Sequence, residues 1–228
     1  MDSTSSPDRV ILLHGLARTP RSMAKLAQAL VRDGYAVENW DYPSRHHDYA
    51  GLLALLRPRI AALAGAQRTH FARTHFVGHS LGGLLLRSLL SEPLPFPAGR
   101  LVLLGVPNRG ALSVARLQAR RGFSRLPEMF GRPARELYRD APWLADLPWP
   151  KLETGAIAGT RRFHPLIPSA WINLLHRATE QGDGTVELDS ALPPALTHTL
   201  MLPVGHSFLP DDPHVIAAVQ RFLKEGRF

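Results

Sequence analysis

The chain has 228 residues, 45% of them hydrophobic and 20% charged, with a formal charge of +8 and no cysteine. A chain of this length buries roughly 70 to 75% of its unfolded surface on folding, enough for one sizeable core, and its ordinary composition excludes intrinsic disorder as the dominant state. Without cysteine it forms neither a disulfide nor a thiolate metal site, which fits a reducing compartment.

Met1 to Asp8 offers neither a basic start nor an apolar stretch. No secretory leader is therefore expected there, no run reaches the length of a membrane span, and a soluble cytoplasmic protein is the expectation. Much of the positive charge is arginine between Arg109 and Arg139, interleaved with Glu128, Glu136 and Asp140. Mixed signs on helical segments read as a solvated face. With no recognisable nucleic-acid module, nucleic acid is not an expected partner, whereas the same basic and apolar stretch leaves room for peripheral contact with an anionic membrane.

One domain over residues 1–228 is expected, without internal repeats. Arg9-Val10-Ile11-Leu12-Leu13 is apolar and too short for a helix, so it reads as a buried strand. It runs into His14-Gly15-Leu16, where the glycine permits a sharp turn that presents the Leu16 N–H to the top of a neighbouring strand; His14 is assigned a structural role. Thr19 and Pro20 open a helix, the threonine as cap and the proline at the first helical position. Met23, Leu26, Ala27, Leu30 and Val31 form its core face, and Gly34 ends it. Tyr35 to Tyr42 is the next strand. His46 and His47 follow in a loop; adjacent side chains diverge, so they read as exposed residues rather than metal ligands. Leu52, Leu53, Leu56, Ile60 and Leu63 trace a second helix that Pro58 is expected to bend or divide.

Thr74 to Val77 is β-branched and aromatic, and Leu84, Leu85, Leu86, Leu89 and Leu90 make an apolar helical face. Between them stands Gly78-His79-Ser80-Leu81-Gly82-Gly83. A strand that turns tightly into a helix holds its central residue in a strained conformation, and the glycines two positions either side remove β-carbons that would collide with it. Ser80 is thereby pushed out at a helix amino terminus, where an oxyanion is favoured. The pattern is the Gly-x-Ser-x-Gly elbow of a nucleophile, and the N–H groups of Leu16 and Leu81 together make a two-donor oxyanion hole.

Arg100 to Gly105 is another buried strand, and the alternation of strand and helix up to this point predicts a parallel sheet covered on both faces. From residue 107 to 150 the rhythm breaks. This insertion reads as a small cap beside Ser80, with Phe130, Trp143 and Leu144 lining an apolar pocket; helices that merely extend the core are the alternative. Thr154 to Gly159 is a strand, Trp171 to Leu175 a short helix in a long excursion, and His198 to Leu202 the last strand. Asp212 caps a final helix begun by Pro213, whose core face is Val215, Ile216, Val219, Phe222 and Leu223.

A serine hydroxyl needs a base within hydrogen-bond reach, and histidine suits near neutral pH. His206 follows the last strand in a glycine-containing turn, whereas His198 lies in a strand and His214 in a helix. A third group must hold the imidazole in one tautomer. Asp183, between Gly182 and Gly184 in what reads as an exposed turn, fits the order Ser, Asp, His; Glu187 and Asp189 are its rivals.

Leu13-His14-Gly15-Leu16, Gly78 to Gly83, Val106-Pro107-Asn108-Arg109-Gly110, Gly182 to Val186 and Val204-Gly205-His206 occur in one order along nearly the whole chain. In these the sequence resembles the α/β-hydrolase superfamily, specifically small bacterial serine esterases and lipases lacking the first strands of the full fold. The resemblance implies a three-layer α/β fold with a reduced, about six-stranded, mostly parallel sheet, helices on both faces and a small cap at 107–150. It implies a carboxylesterase or lipase-like hydrolase with nucleophile Ser80, acid Asp183, base His206 and oxyanion donors Leu16 and Leu81. It calls for no metal or organic cofactor, and for a small-molecule ester or lipid as substrate. One departure bears on the acid: in many relatives the aspartate closely follows its strand, whereas here more than twenty residues separate Gly159 from Asp183. An acyltransferase using the same three residues, or a non-catalytic binding protein on the same scaffold, are the competing functions.

Overall fold

A computed structural model of the chain describes residues 6–118, 131–162 and 180–228. Among these, the frame is β1 (Arg9–Leu13), β2 (Ala36–Trp40), β3 (Thr74–His79), β4 (Ala98–Leu104), β5 (Thr154–Gly159) and β6 (His198–Leu202). They lie side by side in the order β2-β1-β3-β4-β5-β6, every pair parallel. Parallel neighbours require crossover connections, and the first three are α1 (Ala24–Arg32), α2 (Tyr49–His70) and α3 (Leu81–Leu89). Between β4 and β5 lie α4 (Leu112–Gln118) and the single turn α5 (Pro142–Ala145); α6 (Leu188–Ala191) precedes β6, and α7 (Pro213–Glu225) follows it.

Successive strand residues point to opposite faces, so a sheet covered on both sides needs continuous apolar runs. β1 supplies one, buried along its whole length. Ile11 and Leu13 join Leu52 and Leu56 of α2 and Leu84 and Leu85 of α3 in one buried cluster. Val10 and Leu12 join Leu26 and Leu30 of α1 and Val215 and Val219 of α7 in the other. Phe76 and Val77, and Leu103 and Leu104, divide between the same two faces. Each such side chain contributes about 1.5–3 kcal/mol on burial, and the result is the three-layer α/β arrangement the sequence predicts.

Several local expectations differ. Thr19 makes no side-chain cap; its carbonyl instead accepts the Ser22 N–H at 3.0 Å, opening a 3-10 turn at Pro20–Met23 ahead of α1. Val31 is 56% exposed, because Leu26, Ala29 and Leu30 already fill the buried stripe of that helix. The boundary expected at Pro58 is absent, for α2 runs through it to His70. Proline removes the bond to the Ala54 carbonyl, but both residues lie on the exposed side, where that loss is tolerated, while Leu52, Leu56, Ile60 and Leu63 anchor the other side. Asp212 caps α7 as expected, accepting from the His214 and Val215 N–H groups. Among the described residues, no helix is long and apolar enough to cross a membrane.

Candidate active site

Ser80 stands at the junction of β3 and α3 with φ 51° and ψ −121°. A residue with a β-carbon rarely adopts such a left-handed φ, and close packing must hold it there. A β-carbon on Gly78 would lie 2.5 Å from Gly83 Cα, and one on Gly82 would lie 2.5 Å from the His14 carbonyl oxygen. The glycines thus relieve collisions other than those expected: they let β3 touch the start of α3, and α3 touch the exit of β1. The Ser80 N–H donates to the Leu104 carbonyl at 2.9 Å, tying the turn to β4.

His206 follows β6 and begins a 3-10 turn, His206–Asp211. Its Nε2 lies 3.1 Å from Ser80 Oγ and its Nδ1 2.7 Å from Asp183 Oδ2. A carboxylate can only accept, so Nδ1 carries the proton and Nε2 is left to accept from the serine hydroxyl. Asp183 Oδ1 accepts the N–H groups of Thr185 at 3.0 Å and Val186 at 2.8 Å, which aims Oδ2 at the ring. The turn around Asp183 is not exposed as expected, for Asp183 is 0% accessible. Glycines at the ends of two strands make that burial possible. A β-carbon on Gly105 (φ 54°) would lie 3.0 Å from Asp183 Oδ2, and one on Gly159 would lie 2.7 Å from Asp183 Cβ. Sequence reasoning passed over both residues, although a glycine closing each of two adjacent strands was the visible signal.

The rival acids point elsewhere. Glu187 accepts the Leu112 N–H at 3.2 Å, and burial pushes its carboxyl above the usual range. Asp189 pairs with the Arg139 guanidinium, which holds its carboxyl below the usual range.

Gly15 brings the β1 exit loop against the serine: a β-carbon there would lie 3.2 Å from Ser80 Cβ. Beyond Leu16, Ala17 is also left-handed at φ 55°, and its N–H donates to Ser44 Oγ at 3.1 Å. Among the described residues, neither the Leu16 nor the Leu81 N–H is bonded to a protein acceptor. His14 braces this loop from below. Its ring stacks on Tyr42 at 4.3 Å, its Nδ1 lies 2.9 Å from the Gly15 carbonyl, and burial lowers its pKa.

Sequence reasoning also missed His79. Only 2% exposed, it donates from Nε2 to the His206 carbonyl at 3.0 Å, with its ring centroid 4.9 Å from that of His206. Of the residues expected to line a pocket, Phe130 lies outside the described residues. Leu144 is 2% exposed in the cluster beneath α2 and α3 and is placed as core, while Trp143 is partly buried and packs against that cluster, its ring 4.4 Å from that of Tyr49. The helix expected at Trp171 to Leu175 also lies outside the described residues. His46 and His47 are exposed, and among the described residues no group of three or more histidine or acidic side chains is placed to hold a metal ion.

A family model described as alpha/beta hydrolase family matches residues 10–219. No curated protein matches the sequence. Among solved structures, the chain is similar to the lipase BlEst2 of Bacillus licheniformis. In the propeptide form the TM-score is 0.74 at 18% identity, covering 97% of this chain and 51% of that one. In the mature form it is 0.69 at 16% identity, covering 97% and 90%. The chain thus spans about half the length of the propeptide form. It is also similar to the phospholipase PlaB of Legionella pneumophila, with a TM-score of 0.61 at 14% identity over 81% of this chain and 45% of that one. At these identities the likeness is one of fold.

Proposed function

Since the chain belongs to the alpha/beta hydrolase family, we propose that it is a serine hydrolase that cleaves carboxylic esters through an acyl-enzyme. One observation carries this reading: Ser80, on its left-handed turn, lies in a single hydrogen-bonded line with His206 and the buried Asp183. Ser80 Oγ attacks the ester carbonyl carbon while its proton passes to His206 Nε2. The oxyanion that forms is met by the N–H groups of Leu16 and Leu81 at the amino end of α3. His206 returns the proton to the departing alkoxide, then takes one from water as that water attacks the acyl carbonyl, and passes it to Ser80 Oγ as the C–O bond to the serine breaks and the acid leaves. Asp183 holds Nδ1–H throughout and stabilises the imidazolium.

Lipases among the structural neighbours favour an ester or lipid substrate. The cysteine-free composition favours the cytoplasm, and the net charge of +8 favours peripheral contact with anionic lipid. Binding to anionic liposomes, released by salt, would support that contact; equal sedimentation with neutral liposomes would remove it. The decisive experiment is on Ser80. A fluorophosphonate should label it in the wild type, and Ser80→Ala should lower kcat on p-nitrophenyl esters by on the order of 10⁶-fold with folding retained. Undiminished turnover in that variant would refute the mechanism. Product analysis with an alcohol or amine acceptor present separates hydrolysis from acyl transfer.

A further inference from the structure

All four polar atoms of residue 206 are engaged, and three residues do the holding. Asp183 takes two of them, its carbonyl accepting the His206 N–H at 3.0 Å and its Oδ2 facing Nδ1 at 2.7 Å. The adjacent pair His79 and Ser80 takes the others: His79 Nε2 meets the His206 carbonyl at 3.0 Å, and Ser80 Oγ meets the imidazole Nε2 at 3.1 Å. The end of β3 therefore grips both the backbone and the ring of the residue that faces the serine.

That grip fixes the state of His79. A carbonyl oxygen only accepts, so Nε2 must carry the proton and Nδ1 must be bare. Nδ1 is buried without a partner, beside the space a β-carbon on Gly15 would occupy at 2.8 Å. An unsatisfied buried acceptor costs stability, a cost that an apolar side chain at this position would not incur. Burial also holds the ring well below the usual histidine pKa, with His206, Arg18 and His14 adding to the effect. A neutral ring suits its place, since a second positive charge 4.9 Å from the His206 ring would oppose formation of the imidazolium there. The chain just before His206 adds no side-chain hold of its own, for the residue there is Gly205, which makes no side-chain cap.

We propose that His79 is a positioning residue, whose Nε2–H holds the His206 carbonyl and so keeps the His206 imidazole aligned on Ser80 Oγ. It touches no substrate and acts through His206, and it presupposes the reading of Ser80, His206 and Asp183 given above. Glutamine places an amide N–H where Nε2 stands, asparagine places one at the Nδ1 position out of reach of the carbonyl, and leucine has none.

The test uses the full chain with His79→Gln, His79→Leu and His79→Asn, each followed by thermal melting, p-nitrophenyl butyrate kinetics and the downfield proton NMR signal of the His206 Nδ1–H. His79→Leu and His79→Asn should lose about 10²-fold in kcat with KM within about twofold, and His79→Gln should recover to within about fivefold of wild type. Melting temperatures should not follow that order. The downfield signal should persist in wild type and His79→Gln and broaden or vanish in the other two. Leucine and glutamine variants with equal kcat, or losses of kcat that track melting temperature, would overturn the proposal. If the wild type hydrolyses no ester and Ser80 takes no label, the hydrolase reading falls by itself. The NMR comparison then still decides whether His79 positions His206: the same signal in all three variants would end the claim.

Discussion

The carboxyl edge of the sheet is bordered by two regions built on different physics. On one side are the elbow, the Asp183 turn and the His206 turn, which approach so closely that missing β-carbons define the geometry: Gly78 against Gly83, Gly105 and Gly159 against Asp183. On the other side, the described part of the segment from Asn108 to Trp149 is held by long charged side chains. Arg109 pairs with Asp140 at 2.9 Å, and Arg139 pairs with Asp189. Arg87 reaches up from α3 to Asn108 Oδ1 at 2.9 Å and the Leu147 carbonyl at 2.6 Å, with its guanidinium 3.7 Å from the Trp149 ring centroid. Steric contact resists displacement steeply within tenths of an ångström, whereas an exposed ion pair is worth about 0–1 kcal/mol and yields easily. The first region is suited to hold its side chains in fixed register, and the second tolerates displacement more readily.

On that contrast, changes on the close-packed side should strike turnover, and changes on the charged side should strike stability alone. After Ser80→Ala, the largest effect is expected of Asp183→Asn. Its amide cannot hold the Nδ1–H tautomer as the carboxylate does, and kcat should fall about 10⁴-fold with KM little changed. Next is Gly82→Ala. Its β-carbon would meet backbone at the exit of β1, 2.5 Å from the His14 oxygen and 2.8 Å from the Leu13 carbonyl carbon. The loop carrying Gly15 and Leu16 must then shift, and kcat should drop by about 10²-fold. A melting temperature lowered with kcat unchanged would break the comparison on its close-packed side.

The same contrast explains what could be read from the sequence. β1 and β5 have the limits that their apolar runs predict, because burial on both faces writes itself directly into composition; β6 also has the limits expected of it, although it is a partly exposed strand at the edge of the sheet. The order of residues did not separate Asp183 from Glu187 and Asp189, since more than twenty residues intervene after Gly159. What separates them is where each carboxylate points, and that depends on how closely the ends of β4 and β5 pass. Likewise Pro58 argued locally for a break in α2, and the four apolar anchors of that helix overrode it. His79 occupied a variable position of the Gly-x-Ser-x-Gly pattern, so nothing in its spacing marked its bond to His206, a residue far along the chain.

On the charged side, Arg87→Met should be the larger perturbation. Burial lowers the Arg87 pKa to about 10, and its Nε has no partner, so the guanidinium is held at some cost. Methionine keeps much of the stem but leaves Asn108 Oδ1 and the Leu147 carbonyl without their donor. A net loss of about 1–2 kcal/mol on chemical denaturation is expected, with kcat within about threefold of wild type. A kcat falling as far as in Gly82→Ala would show that this segment helps place the reacting atoms after all.

The smallest effect is a matter of sign. Burial raises the carboxyl of Glu187 above its ordinary value of 4.5, more than the Leu112 N–H and Arg139 lower it. Folding therefore favours the protonated form. Below the unfolded pKa both states are protonated and there is no penalty; as pH climbs through the raised folded pKa, ionisation costs stability, and above it that cost is constant. In Glu187→Gln the side-chain amide still offers an oxygen to the Leu112 N–H without the buried charge, and Arg139 keeps Asp189. That substitution should thus raise the melting temperature slightly at pH 7 to 8, and the gain should disappear as the pH falls below about 4.5. A melting temperature lowered at neutral pH would mean that the Arg139 contact, 3.8 Å away, outweighs burial, and that charge on this side of the molecule is stabilising rather than merely tolerated.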